Sequence, residues 1–161
     1  MLDTTVDSAN SALKRARATL QSRRAPEAGR VPPPAPGSPA EEALVAKFVS
    51  AYEAADIDGV VALLTDDVFM SMPPMPFEYQ GRDVVAGFCN IIFRAGRRFD
   101  LVPTRANGQP AFGSYLRGPD GVSHGTGLVV IGLAGDRICA LIRFENSAFP
   151  WFGLPRTIAP R

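Results

Sequence analysis

The chain has 161 residues, of which 46% are hydrophobic and 20% charged, and its net charge is +1. That is room for one domain plus an appendage, and the composition excludes a chain that is disordered throughout. No run approaches the ~20 apolar residues of a membrane-spanning helix. The opening Met1-Leu2-Asp3 leads into no apolar signal segment, so a cytoplasmic protein with no membrane partner is expected. Cys89 and Cys139 lie in apolar stretches without CxxC or Cys/His spacing, which predicts buried free thiols and no metal site.

Charge divides the chain. Residues 1–30 hold six basic side chains (Lys14, Arg15, Arg17, Arg23, Arg24 and Arg30) against Asp3, Asp7 and Glu27, and the remainder is slightly acidic. Within residues 1–24, Val6, Ala9, Leu13, Ala16 and Leu20 form one helical stripe, with Thr4 and Asp7 in an N-terminal capping pattern. Asn10, Lys14 and Arg17 share the opposite face. The stripe is too small and too rich in alanine to found a domain. Residues 25–39 contain six prolines, which favour extended backbone and read as a linker. Residues 40–161 are the domain proper.

That domain opens with Ser38 as N-cap, Pro39 in the first turn and Glu41 closing a capping box. Leu44, Phe48, Ala51, Tyr52 and Ala55 form the buried stripe of this helix. A short second helix carries Val60, Val61, Leu63 and Leu64. A strand at Val68–Met72 is broken by Pro73-Pro74-Met75-Pro76, and Phe77-Glu78-Tyr79 returns before Gln80-Gly81. Arg82 to Arg94 reads as a third helix. Four strands come after it: Phe99–Ala106, Ala111–Arg117, Thr126–Leu133 and Ile138–Glu145. They are punctuated by Asn107-Gly108, Pro119-Asp120-Gly121 and Gly135-Asp136, all turn signals.

This order resembles the SnoaL-like, or nuclear-transport-factor-2-like, cone: an α+β fold whose curved antiparallel sheet packs on about three helices. Here a separate helix and a Pro-rich linker precede it. The wording of several segments resembles one subgroup of extracytoplasmic-function RNA polymerase sigma factors. Residues Thr4 to Arg17 are similar to the end of sigma region 4, the second helix of a helix-turn-helix. Met70-Ser71-Met72-Pro73-Pro74, Gly81-Arg82-Asp83, the run from Pro103 to Gly113 and the run from Phe149 to Pro155 are similar to the SnoaL-like extension of that subgroup. Sigma region 2 and the first part of region 4 have no counterpart in the chain, which therefore reads as the C-terminal portion of such a factor.

The resemblance implies partners for the full-length protein: RNA polymerase core, promoter DNA and the protein's own sigma core regions. It places Ser8, Asn10 and Ser11 at base edges and Lys14, Arg15 and Arg17 at phosphates. From the residues alone the same face reads as solvated charge.

The domain has its own candidates. Tyr52, Met70, Met72, Phe77, Tyr79, Phe88, Phe93, Phe112 and Trp151 are either core or the wall of an apolar ligand cavity with tyrosine hydroxyls as polar handles. His124, the only histidine, reads as a strand-end residue, with a pocket role as the second reading. Arg143 and Glu145 are two apart on the last long strand and so share a face. They form an ion pair in the cavity or face solvent, and the solvent-facing arrangement is preferred. Residues 72–76 suit a cavity mouth or a protein contact. Phe149–Pro155 either seals the cone or docks on the sigma core. Cone-fold isomerases keep an aspartate base across from hydrogen-bond donors, and no spacing here assembles such a pair. No catalytic residue and no cofactor is assigned.

The expected function is a regulatory module of a sigma factor, gated by a small apolar ligand. A small-molecule cyclase, isomerase or epoxide hydrolase is the alternative, and a free-standing ligand-binding or homodimerising cone is a third. Limited proteolysis is expected to cut between Arg24 and Pro39 and leave a folded domain. Protection of that whole segment in the isolated chain would contradict the division into helix, linker and domain.

Overall fold

The computed structural model describes residues 31–94 and 96–159. The expected first helix and its six DNA-facing residues, Ser8, Asn10, Ser11, Lys14, Arg15 and Arg17, lie outside the described residues. The described part of the chain lays a helical layer against one mixed sheet.

Helix α1 spans Pro39–Ala54. Ser38 caps it, its Oγ accepting from the Glu41 backbone N–H at 3.3 Å, with Pro39 in the first turn. The Glu41 carboxylate reaches one residue further back than a capping box requires and accepts from Gly37 N–H at 3.1 Å. It also takes both arms of Arg105, Nη1 donating to Oε1 at 2.7 Å and Nη2 to Oε2 at 3.0 Å. A helix cap is thereby tied to a strand 64 residues away.

Helix α2, Ile57–Ala62, is capped by Asp56, which accepts from Gly59 N–H at 2.9 Å. Leu64, expected in this helix, instead opens strand β1, Leu64–Ser71, because its backbone pairs with Ile138. Strand β2 (Glu78–Gln80) returns antiparallel to β1, and helix α3 (Arg82–Arg94) comes next.

The rest is a meander of β3 (Phe99–Ala106), β4 (Gln109–Arg117), β5 (Ser123–Ala134) and β6 (Arg137–Glu145). Asn107 and Gly108 turn the first hairpin with φ of 50° and 78°, the left-handed pair that a type I′ turn requires. A 3₁₀ helix, Asn146–Phe152, and a two-residue strand β7, Thr157–Ile158, close the described part.

The sheet order is β2-β1-β6-β5-β4-β3, with β7 added to β5. All pairs are antiparallel except β1 with β6. Side chains alternate across a strand, and here both faces are buried. Phe112, Val129, Ile131 and Leu141 pack with the helices, together with Phe48, Val85 and Phe93. Ala111, Tyr115, Leu128 and Val130 form a second cluster on the other face with Phe149 and Leu154. No helix among the described residues is long and apolar enough to cross a membrane.

Two buried carboxylates hold the ends of the β3–β4 hairpin. Asp100 accepts from Arg117 Nε at 3.0 Å and Nη2 at 2.6 Å, and from Ser123 Oγ at 2.6 Å. Glu41 plays the same part at the turn. The Arg105 guanidinium holds the Glu41 carboxyl below its usual range, outweighing burial, and the Gly37 N–H assists. A carboxylate whose folded pKa lies below its unfolded value, about 4.3, contributes stability above that value and loses it as pH falls through the folded one. Glu41→Gln should therefore lower the melting temperature at neutral pH and flatten its fall below about pH 4, as followed by melting curves across an acid series. Asp100→Ala should cost about 3 kcal/mol, because it leaves Arg117 and Ser123 without their acceptor, measured by denaturant unfolding.

Candidate functional site

A cavity of about 450 Å³ lies between the helical layer and the sheet. Its walls derive from the stripes of the elements that meet there. Helix α1 contributes Phe48 and Tyr52, and α3 contributes Phe88, Cys89, Ile92 and Phe93. Met70 comes from β1, Tyr79 from β2, Phe99 from β3 and Leu116 from β4. Thr126, Val129, Leu141 and Arg143 come from β5 and β6, and the loop residues Met72, Met75 and Phe77 complete the rim. Aromatic edges organise the wall: Tyr52 meets Phe93 edge-on at 5.1 Å between centroids, and Tyr79 meets Phe88 at 5.1 Å.

Polar groups form one row inside this apolar shell. Tyr52 of α1 has its hydroxyl near Ser114, which is buried on β4. Thr126 Oγ1 donates to the Ser114 carbonyl at 3.0 Å and lies 3.4 Å from its Oγ. Arg143 Nη2 donates to the Thr126 carbonyl at 2.7 Å.

A β-bulge makes the row. The β4–β5 register runs Ser114 to Gly127 and then Tyr115 to Gly125, so Thr126 is skipped in the ladder and its side chain is re-aimed into the cavity. The flanking glycines are required by close approaches. A Cβ at Gly127 would meet the Arg143 guanidinium at 3.2 Å and crowd the Phe144 carbonyl, and one at Gly125 would enter the Phe149 ring.

Burial sets the titration of the cavity. It pushes the Tyr52 phenol up to about 12, with the nearby Cys89 adding to the rise and the positive Arg143 and Ser114 opposing it. It pushes the Cys89 thiol up to about 11. Both stay protonated at neutral pH. Among the described residues that line the cavity there is no Asp or Glu, and the charged ones are Arg97 and Arg143.

Of the residues expected at a pocket, Tyr52, Met70, Met72, Phe77, Tyr79, Phe88, Phe93 and Arg143 line this cavity. Four others lie elsewhere. Phe112 is buried under Phe48, centroids 5.8 Å apart, beyond the end of the space. His124 is exposed at the end of β5 where β7 pairs with it. Glu145 shares a face with Arg143 but sits past the cavity at the exposed end of β6, so the two form no ion pair there. Trp151 is 87% exposed, because the 3₁₀ helix turns Phe149 inward and leaves Trp151 on its outer side.

The Phe149–Pro155 segment does not seal the cone. Phe149 and Leu154 cover the opposite face of the sheet, and Tyr115 OH donates to the Pro155 carbonyl at 2.9 Å. Thr126, Ser114 and Arg97 were not singled out by sequence reasoning. For Thr126 a signal existed, since Gly-x-Gly inside a strand marks a bulge.

An open mixed sheet with three helices on one face, enclosing an apolar cavity, defines a SnoaL-like cone. Residues 45–148 match the SnoaL-like domain family, and the chain belongs to it. Over 160 residues the chain is also 36% identical to the ECF RNA polymerase sigma factor SigG of Mycobacterium tuberculosis (strain ATCC 25618 / H37Rv), which covers 98% of this chain. The match spans 42% of that sigma factor's length.

Among solved structures, an M. tuberculosis LEH-like epoxide hydrolase superposes with a TM-score of 0.54 at 19% identity, over 70% of this chain and 86% of that one. A putative ketosteroid isomerase from Kribbella flavida DSM 17836 gives 0.53 at 19%, over 66% and 77%. An NTF2-like protein of unknown function from Mesorhizobium loti gives 0.55 at 18%, over 66% and 90%. At these identities the likeness is one of fold.

The two aromatic residues of the 3₁₀ helix should respond differently to truncation. Phe149→Ala is expected to cost about 3–5 kcal/mol through the cavity it leaves. Trp151→Ala should stay within about 0.5 kcal/mol, as exposed substitutions do. Denaturant unfolding of the two variants checks both.

Proposed function

We propose that this chain is the C-terminal regulatory portion of a sigma factor, in which the SnoaL-like domain modulates transcription initiation through contacts with the sigma core and is gated by a small apolar ligand in its cavity. In that setting its partners are RNA polymerase core and promoter DNA, and it works in the cytoplasm. The observation that carries the reading is the 36% identity to a sigma factor along 98% of the chain. The cavity adds support: a lining of Met, Phe, Tyr and Leu side chains suits an apolar guest. The exposed Trp151, with Phe144 also exposed on the same side of the sheet, supports the second of the two expectations for the C-terminal segment, docking on the sigma core.

Fold alone does not decide between binding and turnover. Binding is favoured by the lining, because burial keeps Tyr52 and Cys89 protonated at neutral pH and no Asp or Glu is among its described residues.

In vitro transcription with the full-length protein tests the reading. Trp151→Ala should change transcript yield several-fold while the isolated domain melts as before. Unchanged output from that variant and from a full-length protein lacking residues 40–161 would overturn it. Turnover of an epoxide or a cyclic ketone, abolished by Arg143→Gln, would replace it with the enzyme reading.

A further inference from the structure

Arg143 differs from Arg82, Arg105 and Arg117, each of which is paired with a carboxylate. Arg105 is forked on Glu41, Arg117 on Asp100, and Arg82 pairs with Asp66 at 2.7 Å. Arg143 faces the cavity; among the described residues the Thr126 carbonyl alone accepts from it, and no carboxylate lies within ion-pair distance. A guanidinium carries five N–H donors, and one of those of Arg143 is taken by the Thr126 carbonyl, leaving others free for a guest in the cavity. Arg143 is half-buried at the edge of an apolar lining, where an anion entering the cavity can pair with it. Gly127 keeps the strand beside this guanidinium bare, which leaves the planar group room to lie against the backbone. The second charged residue of the lining, Arg97, is also positive and is exposed.

We propose that the cavity takes an amphiphilic carboxylic acid, its carboxylate forked on Arg143 and its apolar body packed among Met70, Phe88, Phe93 and Leu141. This rests on the reading of the cavity as a ligand site and names the class of ligand. Planar, bidentate pairing with carboxylate is what a guanidinium does better than an ammonium. The protonated Tyr52 hydroxyl, on the same polar row, is a neutral neighbour that does not repel the anion. A volume of about 450 Å³, at ~30 Å³ per water-sized group, holds on the order of fifteen non-hydrogen atoms. That is the size of a medium-chain fatty acid or an aryl carboxylate.

Calorimetric titration of the 161-residue chain with decanoate and with decan-1-ol at neutral pH tests the assignment. Decanoate should bind the unaltered protein at least about tenfold more tightly than the alcohol, the range of a charge-assisted hydrogen-bonded pair. Arg143→Gln should bring decanoate down to the affinity of the alcohol and leave the alcohol unchanged, and Arg143→Lys should keep part of the preference. Equal affinity of the unaltered protein for the two probes, a comparison that needs no variant to fold, overturns the carboxylate assignment and leaves the apolar-cavity reading standing. A preference for decanoate that survives Arg143→Gln in a variant with a normal melting curve overturns it as well. Absence of binding by both probes overturns the ligand reading itself.

Discussion

Strand β5 has to bury side chains on both of its faces at once. Val129 and Ile131 go under the helices, while Leu128 and Val130 go under the 3₁₀ helix and the segment after it. This constraint assigns the other elements their places. The helices must cover one face, so the C-terminal segment is needed on the other and is not free to close the cavity. It also demands near contact between layers, which is why Gly125 stands beneath the Phe149 ring and Gly127 beside the Arg143 guanidinium. A side chain at either glycine would push a layer away from the sheet.

The same strand shows how a cavity arises in a well-packed fold. Along most of β5 the alternation is regular and the core is filled. At Thr126 the bulge breaks the alternation, so a hydroxyl faces inward where regular pairing would have continued. Thr126 then bonds the Ser114 carbonyl, and the Thr126 carbonyl takes one donor of Arg143, so a short polar chain runs across β4, β5 and β6 beside Tyr52 of α1. Buried polar groups of this kind are tolerated because they are hydrogen-bonded.

Much of the fold was legible because local chemistry agreed with it. Ser38-Pro39 caps the helix that begins beside it, and Asn107-Gly108 turns the first hairpin. The cavity wall was legible in part, since aromatic and methionine side chains on α1, β1 and α3 converge once the order of elements is known. What local reasoning could not supply was extent. Alternation places Arg143 and Glu145 on one face, but it does not say that the cavity ends between them. Nor does composition reveal which side of the sheet an aromatic segment will cover. The apolar run Leu128-Val129-Val130-Ile131 held that information, because an uninterrupted apolar strand is one buried on both faces, and such a strand needs a second cover.

Acid–base catalysis on a fold of this kind needs two titratable groups whose environments push their pKa values apart, one able to take a proton and one to give it. In this cavity burial pushes Tyr52 and Cys89 in the same direction. Tyr52 is pushed up to about 12 and Cys89 up to about 11, so each holds its proton across the neutral range. The carboxylates that serve elsewhere as acceptors, Glu41 and Asp100, are bound to Arg105 and Arg117 outside the cavity lining. What remains in the lining is fixed positive charge, hydroxyl donors and apolar surface.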